Sequence, residues 1–390
     1  MRSPLTLSVV LAAALGLTAC TPPSSNAPAD ASADAGVPYD PAADSLRFEG
    51  EDHLRNIRQL TFGGNNAEAY WSFDGTQLVF QSDWDAINPQ GCDQIFVMNA
   101  DGSPVSHGED GNATQYLEVS TMRGRTTCSY YLADGRVIYA STHADSPACP
   151  EAAPFVNGRY VWPIHDSYDV YVTDPANPDS DPEVLIGGEG YDAEATVSPD
   201  GRYIVYTSDR SGDLELWRRD LETGEDLQLT SDLGYDGGAF FSPDGTKLVW
   251  RSSRPAEGEE ADTYRALLSQ GLVQPTNMDL YVANADGSDA RQITALPGAQ
   301  WAPYFHPDNE RILFASNHHA QEGGGREFAI FMIHPGEGPP SLQQITHSGT
   351  FDAFPMFSPD GTQLVFSSNR RVDREPSRDT NVFVADWVEG

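Results

Sequence analysis

The chain has 390 residues and a formal net charge of −35, from 58 acidic side chains against 23 basic ones. With no basic stripe to displace phosphate counterions, nucleic acid is excluded as a partner. A surface this acidic is soluble and self-repelling, and a monomer is expected.

Residues 1–20 carry one charge, Arg2, ahead of an apolar run from Leu5 to Leu17, and end Leu17-Thr18-Ala19-Cys20. The run is too short for a membrane span with ordinary flanks and has the layout of an export signal. Leu-Thr-Ala-Cys resembles a bacterial lipobox, which implies lipidation (palmitate and related chains) at Cys20. Thr21 stands where an Asp would favour inner-membrane retention, so the resemblance implies an outer-membrane anchor facing the periplasm. Residues 21–45 are Pro, Ala, Ser and Asp with almost no bulky apolar side chain, the composition of a disordered tether. The folded domain is expected over 46–390, with the membrane reached through the lipid anchor alone.

Within that domain one module recurs. Phe241 to Ser253, FSPDGTKLVWRSS, is a Pro-Asp-Gly turn between two short apolar runs, in which Pro243 presets φ and Gly245 accepts φ > 0. Relatives stand at Ser72–Ser82, Leu132–Thr142, Ser198–Ser208, His306–Ser316 and Ser358–Ser368. Their turn aspartates, Asp74, Asp134, Asp200, Asp244, Asp308 and Asp360, are spaced by 60, 66, 44, 64 and 52 residues. A unit near 44 residues with variable insertions is the signature of a β-propeller. The fold class expected is therefore all-β: a six-bladed propeller of four-stranded blades.

Third strands follow each hairpin at Asp93–Asn99, Tyr168–Asp174, Asp213–Asp220, Met278–Asn284, Phe328–His334 and Asn381–Trp387. Fourth strands follow at Ala113–Val119, Pro182–Gly187, Glu225–Thr230, Ala290–Thr294 and Leu342–Thr346. The sixth blade has none after it. Arg55–Thr61 matches the type and is expected to complete that blade, so that the ring closes without a free edge.

SPDG turns followed by Leu-Val-Phe-Ser-Ser, NADGS between third and fourth strands, and RQIT at the blade end resemble the repeats of TolB-type propellers over residues 54–389. The same repeats occur in propeller halves of prolyl-oligopeptidase-like enzymes and in some bacterial polysaccharide lyases. Residues 21–53 leave no room for the N-terminal α/β domain of TolB. The chain also lacks the Gly-x-Ser-x-Gly elbow of the peptidases.

Most of the extra length falls between second and third strands, at Asp83–Cys92, His143–Ser167, Arg254–Asn277, Asn317–Glu327 and Asn369–Thr380. Blade three is short there, at Asp209–Gly212. Insertions on one face build a rim around a channel mouth, where binding is expected. Trp84, His143, Arg210, Arg254, His318 and Arg370 lead those loops. The arginines would fork onto carboxylates or sulfates of a ligand, or pair with acids of neighbouring blades. Arg251 to Arg254 ends the Phe241–Ser253 module and leads into the blade-four insertion, and function is expected there. Trp162, Trp301 and Tyr304 add stacking surface, and Trp71 reads as core.

His143, His165, His318 and His319 also map to the rim, but no compact spacing makes them a metal site, and no cofactor is expected. Cys92, Cys128 and Cys149 allow one disulfide and leave one thiol over, without a choice of pair. Two functions are carried forward. The first is a cell-envelope module that binds a protein, peptide or glycan on the loop-rich face without catalysis. The second is a metal-assisted polysaccharide lyase or another glycan-active propeller using rim His and Arg residues.

Overall fold

A computed structural model describes residues 44–107, 111–151, 155–323, 325–335, 341–375 and 377–389; the export signal, Cys20 and the tether as far as residue 43 lie outside them. Six four-stranded antiparallel sheets follow one another as blades. Their innermost strands are Asn66–Trp71, Thr126–Tyr131, Asp192–Val197, Asp236–Phe241, Gln300–Phe305 and Asp352–Phe357. In the sixth sheet the order runs from Asp352–Phe357 through Gln363–Ser368 and Asn381–Trp387 to Leu54–Gln59. Leu54 lies opposite Trp387 and Gln59 opposite Phe383. Blade one meets blade six where the Trp71 indole donates to the Met356 carbonyl at 3.3 Å, so Trp71 is core.

The turn motif has a mechanical reading. In Ser72, Ser198, Ser242 and Ser358 the hydroxyl donates to the Asp two residues on at 2.5–2.6 Å. The same oxygen accepts the amide of the first residue of the next strand at 2.8–3.0 Å. The serine donor leads the effects that hold Asp74, Asp200 and Asp360 below the usual carboxylate range. Gly245, at φ 72, supplies the left-handed step that a side chain would resist. The hairpin register is thus pinned by these side chains in four of the six repeats.

Two expectations change. The fourth strand of blade one is only Leu117–Glu118, because Asn112–Thr114 folds back on Val105–His107 as a separate two-stranded hairpin. The insertion of blade four contains a helix, Glu259–Leu268, whose Ala261, Tyr264 and Leu267 are buried. Beyond the helix, Leu272–Val273 pairs with Trp162–Pro163 of the blade-two insertion. The two insertions meet above the short third-blade connection and roof that side of the ring. Among the described residues no helix is long and apolar enough to cross a membrane.

A candidate ligand well on the channel axis

Each innermost strand carries a β-bulge between its second and fifth residues. The third residue there takes a left-handed conformation: Glu68, Cys128, Glu194, Gly238, Ala302 and Phe354, with φ between 46 and 60. Five of the six are not glycine, and the bulge re-aims side chains next to the axis. The ring is chemically lopsided. Blades one to three contribute two carboxyls and a thiol, and blades four to six contribute nothing, a methyl group and a phenyl ring.

The fifth residues close the axis below. Tyr70, Tyr130, Phe240 and Tyr304 pack at ring separations of 5.3–6.2 Å. Above this plug lies a well of about 420 Å³ lined by Glu68, Cys128, Glu194, Arg251 and Phe354 from the blades and by Trp162, Pro163 and Ile164 from the roof. The Trp162 ring of blade two reaches the Trp301 ring of blade five at 5.3 Å, and Trp301 stacks on Phe328 at 4.4 Å. The mouth is therefore spanned by aromatic surface.

Arg251 is the organising cation. It lies on the second strand of blade four and is 9% exposed. Its Nη2 donates to Glu194 Oε1 and, at 2.8 Å, to the Tyr235 hydroxyl. Glu194 also accepts from Tyr235 at 2.6 Å, Thr207 at 2.8 Å and the Gly238 amide at 2.9 Å. The guanidinium lies over the Trp162 ring at 5.2 Å. Burial alone would weaken its charge, but Glu194 and Tyr235 outweigh that and hold it firmly cationic. The Gly-Gly of Asp-Gly-Gly-Ala makes the space. A Cβ at Gly237 would stand 2.2 Å from Glu194 Oε2, and one at Gly238 would stand 2.5 Å from Arg251 Nη1.

Glu68 behaves differently from Glu194. It keeps some contact with the interior of the well, yet burial pushes its carboxyl up to about 7, with the Cys128 thiol and Arg251 pulling the other way. Burial also pushes the Cys128 thiol up, reinforced by Glu68 and Glu194, so it is a poor nucleophile at neutral pH. Asp93 is raised by burial and opposed by Arg125.

None of the six loop-leading residues lines this well. Trp84 packs on Tyr116 at 5.9 Å. His143 and His318 each bond a serine two residues back at 2.9 Å through Nδ1 and pack on Tyr171 and Phe331. Arg210 pairs with Asp192 at 2.8 Å and Arg254 with Asp236 at 2.9 Å. Arg370, wholly buried, pairs with Glu51 at 3.0 Å and Asp352 at 3.2 Å. The partner aspartates open the innermost strand of the same blade, so these arginines latch the second strand to the first. Among the described residues no His, Cys, Asp or Glu group of three is arranged for a metal. Cys92 and Cys149 form the disulfide, and Cys128 is the free thiol. Of the aromatics expected to add stacking surface, Trp162 and Trp301 line the well and Tyr304 packs in the plug below it. Sequence reading missed Glu68, Glu194 and Tyr235, whose signal was a carboxylate or a Gly-Gly pair inside an otherwise apolar innermost strand.

These features define a six-bladed β-propeller with a blind axial well open on its loop-rich face. No family model and no curated protein sequence matches the chain. Among solved structures it is similar to a putative TolB from Agrobacterium tumefaciens, at 14% identity and TM-score 0.48 over 86% of this chain and 97% of that one. It is similar to TolB from Acinetobacter baumannii at 16% identity and TM-score 0.48, over 84% of this chain and 64% of that longer one. An oligogalacturonate lyase from Vibrio parahaemolyticus is similar at 11% identity and TM-score 0.46, over 85% of this chain and 93% of that one.

Proposed function

We propose that the chain is a cell-envelope lipoprotein whose propeller is a non-catalytic binding module, and that its ligand enters the axial well from the loop-rich face. The observation that carries this reading is the convergence of the two longest insertions, from blades two and four, on a well walled by Trp162, Trp301 and Phe354 around the Arg251, Glu194 and Tyr235 cluster. A few fixed polar groups in an aromatic enclosure are the usual make-up of a ligand site. The export signal and the Leu-Thr-Ala-Cys stretch support the envelope and the lipid anchor, with the domain on the periplasmic side of the outer membrane. The lyase alternative calls for His143 and His318 at one metal. Their bonding within blades two and five does not favour it.

Pull-down of envelope extract by the full-length chain in detergent tests the reading. A partner or glycan captured by the wild type and lost with Trp301→Ala, while folding is kept, is the expected result. Equal capture by both would place the binding surface elsewhere.

A further inference from the structure

The well has more hydrogen-bond donors than the protein uses. Arg251 Nε and Arg125 Nε are buried and, among the described residues, meet no acceptor. Both side chains line the well. Leaving buried donors unmade costs about 1–3 kcal/mol each, so their retention points to an acceptor brought from outside. The charges admit an anion in one protonation state. Arg125 and Arg251 face Asp93 and Glu194, and Glu68 is the surplus acid. With Glu68 protonated the well is neutral and its carboxyl is itself a donor. The closed floor adds a constraint on shape, since the Tyr70, Tyr130, Phe240 and Tyr304 plug admits an end and not a passing chain.

Resting on the reading above, we propose that the well is a carboxylate-recognition site. It takes, end-on, the carboxylate of a small organic acid or of a peptide C-terminus, seated against Arg251, Arg125 and the Glu68 carboxyl, with the body of the ligand against Trp162 and Trp301. A bidentate carboxylate suits the guanidinium fork. The volume matches a small acid or the last residues of a peptide.

Protonation gives the site a signature. Glu68 is faced by Tyr70, Asp93, Cys128, Tyr168, Glu194 and Arg251. An ionised Glu68 repels a carboxylate, and a neutral one donates to it. Affinity for a carboxylate therefore falls as pH rises through the Glu68 range near 7, and affinity for a cation would rise.

The test is calorimetric titration of the full-length chain in detergent with two probe pairs: 3-phenylpropionate against its amide, and Ala-Ala-Phe with a free against an amidated C-terminus. The free acid of at least one pair is expected to bind about tenfold or more tighter than its amide, and to lose about tenfold between pH 6 and pH 8.5. The pair that binds identifies the source of the carboxylate. Glu68→Gln, with folding checked by thermal unfolding, should flatten that pH profile, and Arg251→Met should weaken the acid about tenfold or more. Equal binding of acid and amide, affinity rising with pH, or no binding of either probe to folded protein up to about 10 mM would overturn the assignment. If the probes fail while Trp301→Ala still abolishes capture from envelope extract, the carboxylate assignment falls and the binding-module reading stands.

Discussion

At the scale of single residues, the well exists because two positions carry no side chain. Glu194 and Arg251 come from strands of two blades and Tyr235 from the residue just before the innermost strand of blade four, and each would be costly to bury alone. Gly237 and Gly238 let them close on one another. Gly237→Ala pushes a methyl group into Glu194 Oε2 and the Tyr235 hydroxyl, which cannot retreat without breaking the cluster. The expected outcome is a loss of about 1–3 kcal/mol in urea unfolding together with loss of ligand binding. Little of this was legible in the sequence. Repeat logic treats an innermost strand as core, and Glu194 in Asp-Ala-Glu-Ala-Thr is a violation of that pattern whose partners are 41 and 57 residues away. The loop-leading arginines drew attention because they are charged at equivalent positions. Charge at an equivalent position turned out to serve the repeat itself: Arg210, Arg254 and Arg370 each bond the serine two residues before them and an aspartate of their own blade.

At the scale of elements, the concentration of extra length between second and third strands was readable by counting residues between repeats. What that length builds was not. Ala261, Tyr264 and Leu267 do follow helical spacing, but the segment lies inside an insertion whose repeat context offers no helix. The pairing of Trp162–Pro163 with Leu272–Val273 depends on blade three being short, a relation between blades that no local pattern carries. The disulfide acts at this scale. It joins the blade-one insertion at Cys92 to the blade-two insertion at Cys149, closing 57 residues, and the chain-entropy account assigns such a loop about 4 kcal/mol. A Cys92→Ser, Cys149→Ser double variant should unfold at lower denaturant by a comparable free energy. Because the blade-two insertion also carries Trp162, which lines the well, ligand affinity should drop as that contact is loosened. An unchanged midpoint would show that the crosslink contributes nothing net.

At the scale of the whole molecule, a ring needs its last blade joined to its first. In the sixth sheet the outer strand is Leu54–Gln59, laid against Asn381–Trp387 from the other end of the described chain. The segment before it is fastened as well: Glu51 accepts from Arg370 and from the His347 amide at 2.9 Å. Removing residues 46–62 would expose the edge of Asn381–Trp387 and leave Arg370 short of one carboxylate. Loss of a single cooperative thermal transition is expected, and an unchanged melting temperature would contradict the role given to that strand.

The aromatic floor under the well has a kinetic meaning. A site with one opening is left by the route it was entered, so a ligand passes Trp162 and its neighbours both on the way in and on the way out. A change in the roof that raises only the barrier to passage slows arrival and departure by one common factor and leaves the equilibrium constant where it was. Residence time and affinity in this protein should therefore be separable by mutation, the first through insertion residues that do not line the well and the second through Arg251, Glu68 and Trp162.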